Sequence, residues 1–109
     1  MRRHRVLVLS DLTLPSAAPP VAAAAFCLHR PVGTAQLVGI GVAAHLRGKG
    51  LARRLLTSAL MLLRAEGLER VQACAAPGGA GASLLASIGF AADHGMARVD
   101  GRTRLMLPL

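Results

Sequence analysis

The chain of 109 residues has no tryptophan, no tyrosine and only two phenylalanines, Phe26 and Phe90. Its core must therefore come from Ala, Leu and Val, which pack closely but bury less area per residue than aromatic rings. The same shortage removes the stacking platforms that hold single-stranded nucleic acid. Acidic residues are scarce too: Asp11, Glu66, Glu69, Asp93 and Asp100 form no cluster that would recruit a polyamine or an aminoglycoside. The two cysteines, Cys27 and Cys74, lie on separate expected strands without metal-ligand spacing. With no secretory signal ahead of them they read as buried free thiols of a reducing cytosol, which makes the expected location cytoplasmic. No apolar run approaches the ~18 residues that would span a bilayer. Val6-Leu7-Val8-Leu9 is too short, and too soon met by Asp11, to be a signal peptide.

What is abundant is positive charge. The net charge is +8, and a single lysine, Lys49, stands beside twelve arginines. Such an excess points to an anionic partner, whether a nucleotide-bearing cofactor, nucleic acid or a membrane surface. The arginines are spread along the chain; only Arg2, Arg3 and Arg5 gather, and a solvated tail is the expectation for them. The length suits one domain, 1–109, with a modest core. Marginal stability would favour a second subunit covering part of the surface, hence an expected homodimer.

The informative stretch is 39–66. Leu37, Val38, Ile40 and Val42 form an apolar run, followed by Arg47-Gly48-Lys49-Gly50-Leu51-Ala52 and a long apolar-periodic segment without proline. The pattern predicts strand, tight turn, helix. The first N–H groups of a helix lack partners inside it and point outward, and the macrodipole adds about half a positive charge there. Gly48 and Gly50 let the backbone turn and approach a ligand closely. Arg47, Lys49, Arg53 and Arg54 supply four positive charges within eight residues. The junction suits a phosphate or pyrophosphate, although an ordinary basic turn would share its composition. A Walker A loop fails, because Gly48-Lys49 is followed by Gly50 where Ser or Thr is required. A dinucleotide fingerprint fails as well, because Arg53 stands at its third glycine.

In chain order, 5–10 is a short strand and 11–20, with Pro15, Pro19 and Pro20, a loop or crossover. Residues 21–29 could be helix or strand by propensity. Pro31 and Gly33 then supply a turn, so 21–30 and 35–44 are taken as an antiparallel hairpin. The helix over 50–66 carries apolar residues at 51, 55, 56, 59, 62 and 63, with Gly67 after its end. A strand over 68–75 closes a βαβ unit whose two strands run parallel. A short helix over 80–88 ends at Gly89. Residues 90–98 and 102–107 form a closing hairpin around Asp100-Gly101. The fold class is α/β in the α+β sense: a mixed, mostly antiparallel sheet around a central βαβ unit, flanked by helices.

The phosphate turn fits a looser pattern: Gln or Arg, two residues, Gly, one residue, then Gly or Ala, filled by Arg47, Gly50 and Ala52. Ile40-x-Val42 ends the strand five residues before the arginine. Here the sequence resembles the GNAT superfamily of acyl-CoA-dependent N-acetyltransferases. The segment Leu84-Leu85-Ala86-Ser87-Ile88-Gly89-Phe90 and the closing hairpin resemble that family's C-terminal half. The likeness runs over 21–109. It leaves only 11–21 for the helical region that walls the acceptor site in the family, so that region is expected to be reduced.

The resemblance implies acetyl-CoA as cofactor and a primary amine, of a small molecule or a protein, as acceptor by direct attack. It implies that pantetheine extends the sheet along Ile40, Gly41 and Val42 where two strands splay. It places the pyrophosphate on the turn Arg47, Gly48, Lys49, Gly50, Leu51, Ala52 and Arg53. Many members carry a tyrosine acid four residues before the Gly-Phe pair; here Leu85 stands there, with Gly78 at a frequent Asn position and Ala73 at an acidic one. Cys74, Ser83, Ser87, His94 and His45 are nearby substitutes, and packing or exposure accounts for each, so no catalytic residue is assigned. Two other readings stay open: a non-catalytic acyl-CoA-binding module, and a basic nucleic-acid binder using the 50–66 helix, which is too apolar for that task.

Overall fold

The computed structural model describes residues 2–9, 20–76, 78–92 and 102–109. Six strands form one sheet in the order β1-β2-β3-β4-β6-β5. They are β1 (Arg2–Leu9), β2 (Ala22–His29), β3 (Thr34–Val42), β4 (Arg70–Ala75), β5 (Ala91–Ala92) and β6 (Thr103–Pro108). Neighbours pair antiparallel except β3 and β4, which run parallel around the crossover helix α1 (Leu51–Ala65). The expected hairpin and βαβ unit are therefore both present, in a mixed and mostly antiparallel sheet.

Residues 22–29 show why a strand prevails over alanine's helical preference. Buried and half-buried positions alternate along the whole of β2, as they do on a strand with one covered face. Ala22, Ala24, Phe26 and Leu28 form the buried set, against α1. Their small volumes let the helix approach closely, and Phe26 fills the centre with none of its surface exposed. A helix would scatter these four residues around its circumference.

Two irregularities shape the middle of the sheet. Ala25 faces Gly39 whereas Phe26 faces Leu37, so Val38 is an extra residue in β3. Such a bulge bends the strand and increases its twist. On its other side, β3 keeps register with β4 only through Thr34–Arg70, Ala35–Val71 and Gln36–Gln72. Beyond that third pair the two strands part. The start of β4 is pinned by the Gly33 carbonyl, which accepts from the Glu69 and Arg70 amides at 2.7 and 3.1 Å. Gly33 itself has φ +66, the left-handed region that favours glycine.

Helix α1 buries Leu55, Leu56, Ala59, Leu60 and Leu63. Leu62, expected in the stripe, is 48% exposed, and Leu60 is buried in its stead. At 100° per residue the two leucines lie on opposite flanks of the arc centred between Ala59 and Leu63, and only the Leu60 flank is covered. Gly67, at φ +89, ends the helix in the left-handed conformation that lets orphan carbonyls be met.

The N-terminal arginines are not a solvated tail. They lie on β1, which pairs with β2 along its whole length. Arg5 reaches Glu66 at the end of α1 with both guanidinium nitrogens, at 2.5 and 2.6 Å. Arg30 adds a third bond to the same carboxylate at 2.9 Å. Hydrogen bonds from Arg5, then Arg30, hold the Glu66 carboxyl below its ordinary range, and the same contact raises Arg5.

Helix α2 (Ala80–Ile88) sits beside α1. Its Leu85 and the following Phe90 are buried, and Gly89 between them has φ +119. Strand β5 then pairs with β6 through Ala91–Met106 and Ala92–Leu105. The Asp100-Gly101 turn, His94 and most of segment 11–21 lie outside the described residues. Both cysteines are free, but they are half-buried, not buried as expected. Alternation puts Cys27 and Cys74 on the sheet face turned away from α1.

Candidate functional site

The path from β3 into α1 is set by glycines. After Val42 a short 3-10 turn, Ala44–Leu46, leads to Arg47, and Gly48 and Gly50 both take positive φ, +83 and +75. Gly50 is the residue before the helix, and no side chain among the described residues caps it. The first main-chain bond inside the helix runs from the Arg54 amide to the Gly50 carbonyl at 3.0 Å. The amides of Leu51, Ala52 and Arg53 are therefore left facing outward. A Cβ placed on Gly48 or Gly50 would meet nothing within 4 Å. The space over this turn is open, and a side chain would begin to fill it.

A cleft of about 410 Å3 runs from this turn between β3 and α2. Of the ten residues the sequence points to, nine line it: Ile40, Gly41, Val42, Arg47, Gly48, Gly50, Leu51, Ala52 and Arg53. Lys49 does not; its side chain is exposed beyond the turn. Two arginines are partly committed to the fold. The Arg47 Nε donates to the Val42 carbonyl at 3.4 Å. Arg53 ties α1 to α2 through the Ser87 hydroxyl at 3.1 Å, and that hydroxyl donates to the Leu84 carbonyl at 2.7 Å.

A second cavity of about 370 Å3 occupies the parting of β3 and β4, and shares Ile40, Ala80, Gly81 and Leu84 with the first. Leu37 to Ile40 line one wall and Ala73 to Ala76 the other. Past Gln36, the polar backbone groups that β3 turns toward β4 meet no strand among the described residues, so an extended ligand could add itself there as a strand would. The two cavities form one bent channel, mostly apolar in both arms, with the helix N-terminus at one end. Leu85 and Ala73, both buried, line the split and can neither give nor take a proton. Cys74 does line it, on the wall opposite Leu37. Ser83 and Ser87 are exposed on α2, and His45 is exposed ahead of the turn. Among the described residues no group of three His, Cys, Asp or Glu could hold a metal ion. None of the helices described is long and apolar enough to cross a membrane.

The fold is thus a mixed sheet that divides in front of a helix N-terminus which no side chain among the described residues caps. Residues 14–96 match the sequence profile of the Acetyltransferase (GNAT) family, and the chain belongs to that family. Acetyl-CoA is the cofactor of the family. No curated protein sequence matches the chain. Among solved structures the fold is similar to Tetrahymena GCN5, with a TM-score of 0.77 at 18% identity over 96% of this chain and 68% of that one. It is similar to the spermidine/spermine N-acetyltransferase SpeG of Vibrio cholerae, with 0.76 at 20% identity over 96% and 66%. The PaiA N-acetyltransferase of Thermoplasma acidophilum, solved with coenzyme A, gives 0.71 at 12% identity over 83% of this chain and 54% of its own. The chain thus spans between about half and two thirds of these structures' lengths.

Proposed function

We propose that this protein is an N-acetyltransferase that binds acetyl-CoA in the bent channel and passes the acetyl group to a primary amine by direct attack. One observation carries the reading: β3 and β4 part after Gln36 and Gln72, and the gap opens onto glycine-turn amides that no side chain among the described residues caps. The cofactor, when bound, supplies an acetyl group activated as a thioester on an arm that ends in a diphosphate.

The residues present fit such a molecule. The amides of Leu51, Ala52 and Arg53 at the helix start, beside the cleft-lining Gly48 and Gly50, would take the diphosphate, with the helix dipole and Arg47 favouring its charge. The free main-chain edge of Ile40, Gly41 and Val42 suits the amide-bearing arm. Backbone groups in the split polarise a carbonyl held there. Leu37, Leu84 and Leu85 give it apolar walls.

Among the described residues that line the split, none is a carboxylate, an imidazole or a phenol. General acid–base help is worth about 10²–10⁴-fold, while positioning can supply effective molarities of ~10⁵–10⁸ M. A thiol with a pKa of about 8.5 can depart as thiolate without a donor beside it. The chain's contribution is therefore positioning, and turnover is slow and rises with pH as the acceptor amine loses its proton.

Calorimetric titration with coenzyme A, followed by thiol release from acetyl-CoA over a broad panel of amines, tests the reading. Binding with turnover of at least one amine supports it. Binding with no thiol released over the panel overturns the transferase and favours a second reading, a non-catalytic acyl-CoA-binding module. That alternative draws on Leu85 and Ala73, the two buried and proton-inert walls of the split.

A further inference from the structure

The sheet face turned away from α1 carries its own cavity, of about 310 Å3, lined by Cys27, His29, Thr34, Gln36, Gln72 and Arg104 with Val32 at its rim. The register brings these side chains together from four strands. Cys27 lies opposite Gln36, which lies opposite Gln72; His29 lies opposite Thr34. Arg104 lies opposite Cys74, the next residue along that face of β4 after Gln72. Among the described residues every lining group is neutral or cationic, and none is a carboxylate. Two primary amides, an imidazole and a guanidinium in one hollow form a donor-rich site for an anion, while the Thr34 hydroxyl gives its proton to the Val32 carbonyl at 3.3 Å.

The hollow borders the reacting end of the channel. Gln36 and Gln72 are the last paired residues before β3 and β4 part. Cys74, two residues further on, lines the split itself. At ~3.3 Å per residue, a group held at Gln72 stands about 7 Å from one at the level of Cys74. A small molecule anchored in the hollow can thus present its far end to the gap from the face opposite the channel.

Resting on the transferase reading above, we infer that the acceptor is a small amine bearing a carboxylate, with the carboxylate held by Arg104, Gln36 and Gln72 and the amine directed into the split. A bidentate guanidinium–carboxylate contact supplies both attraction and orientation. A polyamine is the wrong substrate for this surface: it would meet Arg104 in a chain whose net charge is +8.

Three probes of similar length separate these cases: 4-aminobutyrate, its primary amide and 1,4-diaminobutane. The first readout is acetylated product formed from acetyl-CoA by the full chain. The second needs no cofactor: it is the rate of Cys27 alkylation by iodoacetamide in a Cys74→Ala background, because Cys27 lines the hollow. The expected result is that 4-aminobutyrate slows Cys27 alkylation and is acetylated with a kcat/KM at least ten-fold above the other two. Arg104→Gln abolishes both effects and Arg104→Lys retains part of each. If no amine is acetylated yet 4-aminobutyrate still protects Cys27 in an Arg104-dependent way, the transferase reading fails and the carboxylate site stands. Equal protection by all three probes, or protection unchanged in Arg104→Gln, overturns the inference whatever the catalytic result.

Discussion

Gly50 is where the cofactor reading can be separated from mere structural strain. The residue sits at φ +75 with open space where a Cβ would project. Gly50→Ala should therefore do two separable things. Any L-residue held in the left-handed region costs about 1–2 kcal/mol, which the fold loses. The methyl also intrudes on the surface offered to a diphosphate. Hydrogen bonds to a charged group are worth about 1.5–3 kcal/mol each, and displacing the diphosphate from one or two of them should weaken coenzyme A binding by about ten-fold or more. Gly67 provides the control, since it has φ +89, equally open space and a place at the far end of α1. Gly67→Ala should lower the melting temperature by a similar amount, a few degrees for a domain of this size, and leave affinity unchanged. Calorimetry and thermal unfolding on both variants decide it. Equal affinities in the two variants would refute the placement of the diphosphate.

The remaining expectations concern the ion-pair cluster and the missing acid. Glu66 is held below its ordinary pKa of 4.5 by Arg5 and Arg30, so its contribution to stability is complete above that value and lost as pH falls through the lower folded value. The melting temperature of Glu66→Gln should lie below that of the native chain at neutral pH, and the gap should close on acidification below about 4.5. A gap that persists unchanged to pH 3 would contradict the assignment. Leu85→Tyr places a phenol at the wall of the split, and should raise turnover by up to about 10²-fold with a new upper limb in the pH–rate profile. An unchanged rate and profile in a folded, coenzyme A-binding variant would show that a proton donor at that wall is not what limits the reaction.

The turn and its flanking elements were legible because their signals are local. Gly48 and Gly50 mark positions that need positive φ, and the apolar period after them marks a helix. The errors have equally physical origins. Leu60 and Leu62 are one turn's flanks apart, and only the packing of α1 on β2 decides which is covered. Arg5 is paired by a glutamate 61 positions away, so nothing near it in sequence separates a strand from a tail. The bulge at Val38 carries no turn residue of its own. The point where β3 leaves β4 shows only in the sheet register. The hollow behind the split draws its side chains from β2, β3, β4 and β6, so no spacing along the chain could have shown it. The cysteines, read as core from their type alone, follow the alternation of their strands onto the other face.

Coenzyme A should meet the amides between Gly48 and Arg53 and those of the β3 edge. A proton–nitrogen correlation spectrum recorded through a titration with coenzyme A reads those amides one by one. The largest shifts should fall on Gly48, Gly50, Leu51, Ala52 and Arg53, with a second set on Ile40 to Val42, while amides along β1 stay still. Shifts confined to other parts of the chain, or none at saturating cofactor, would contradict it.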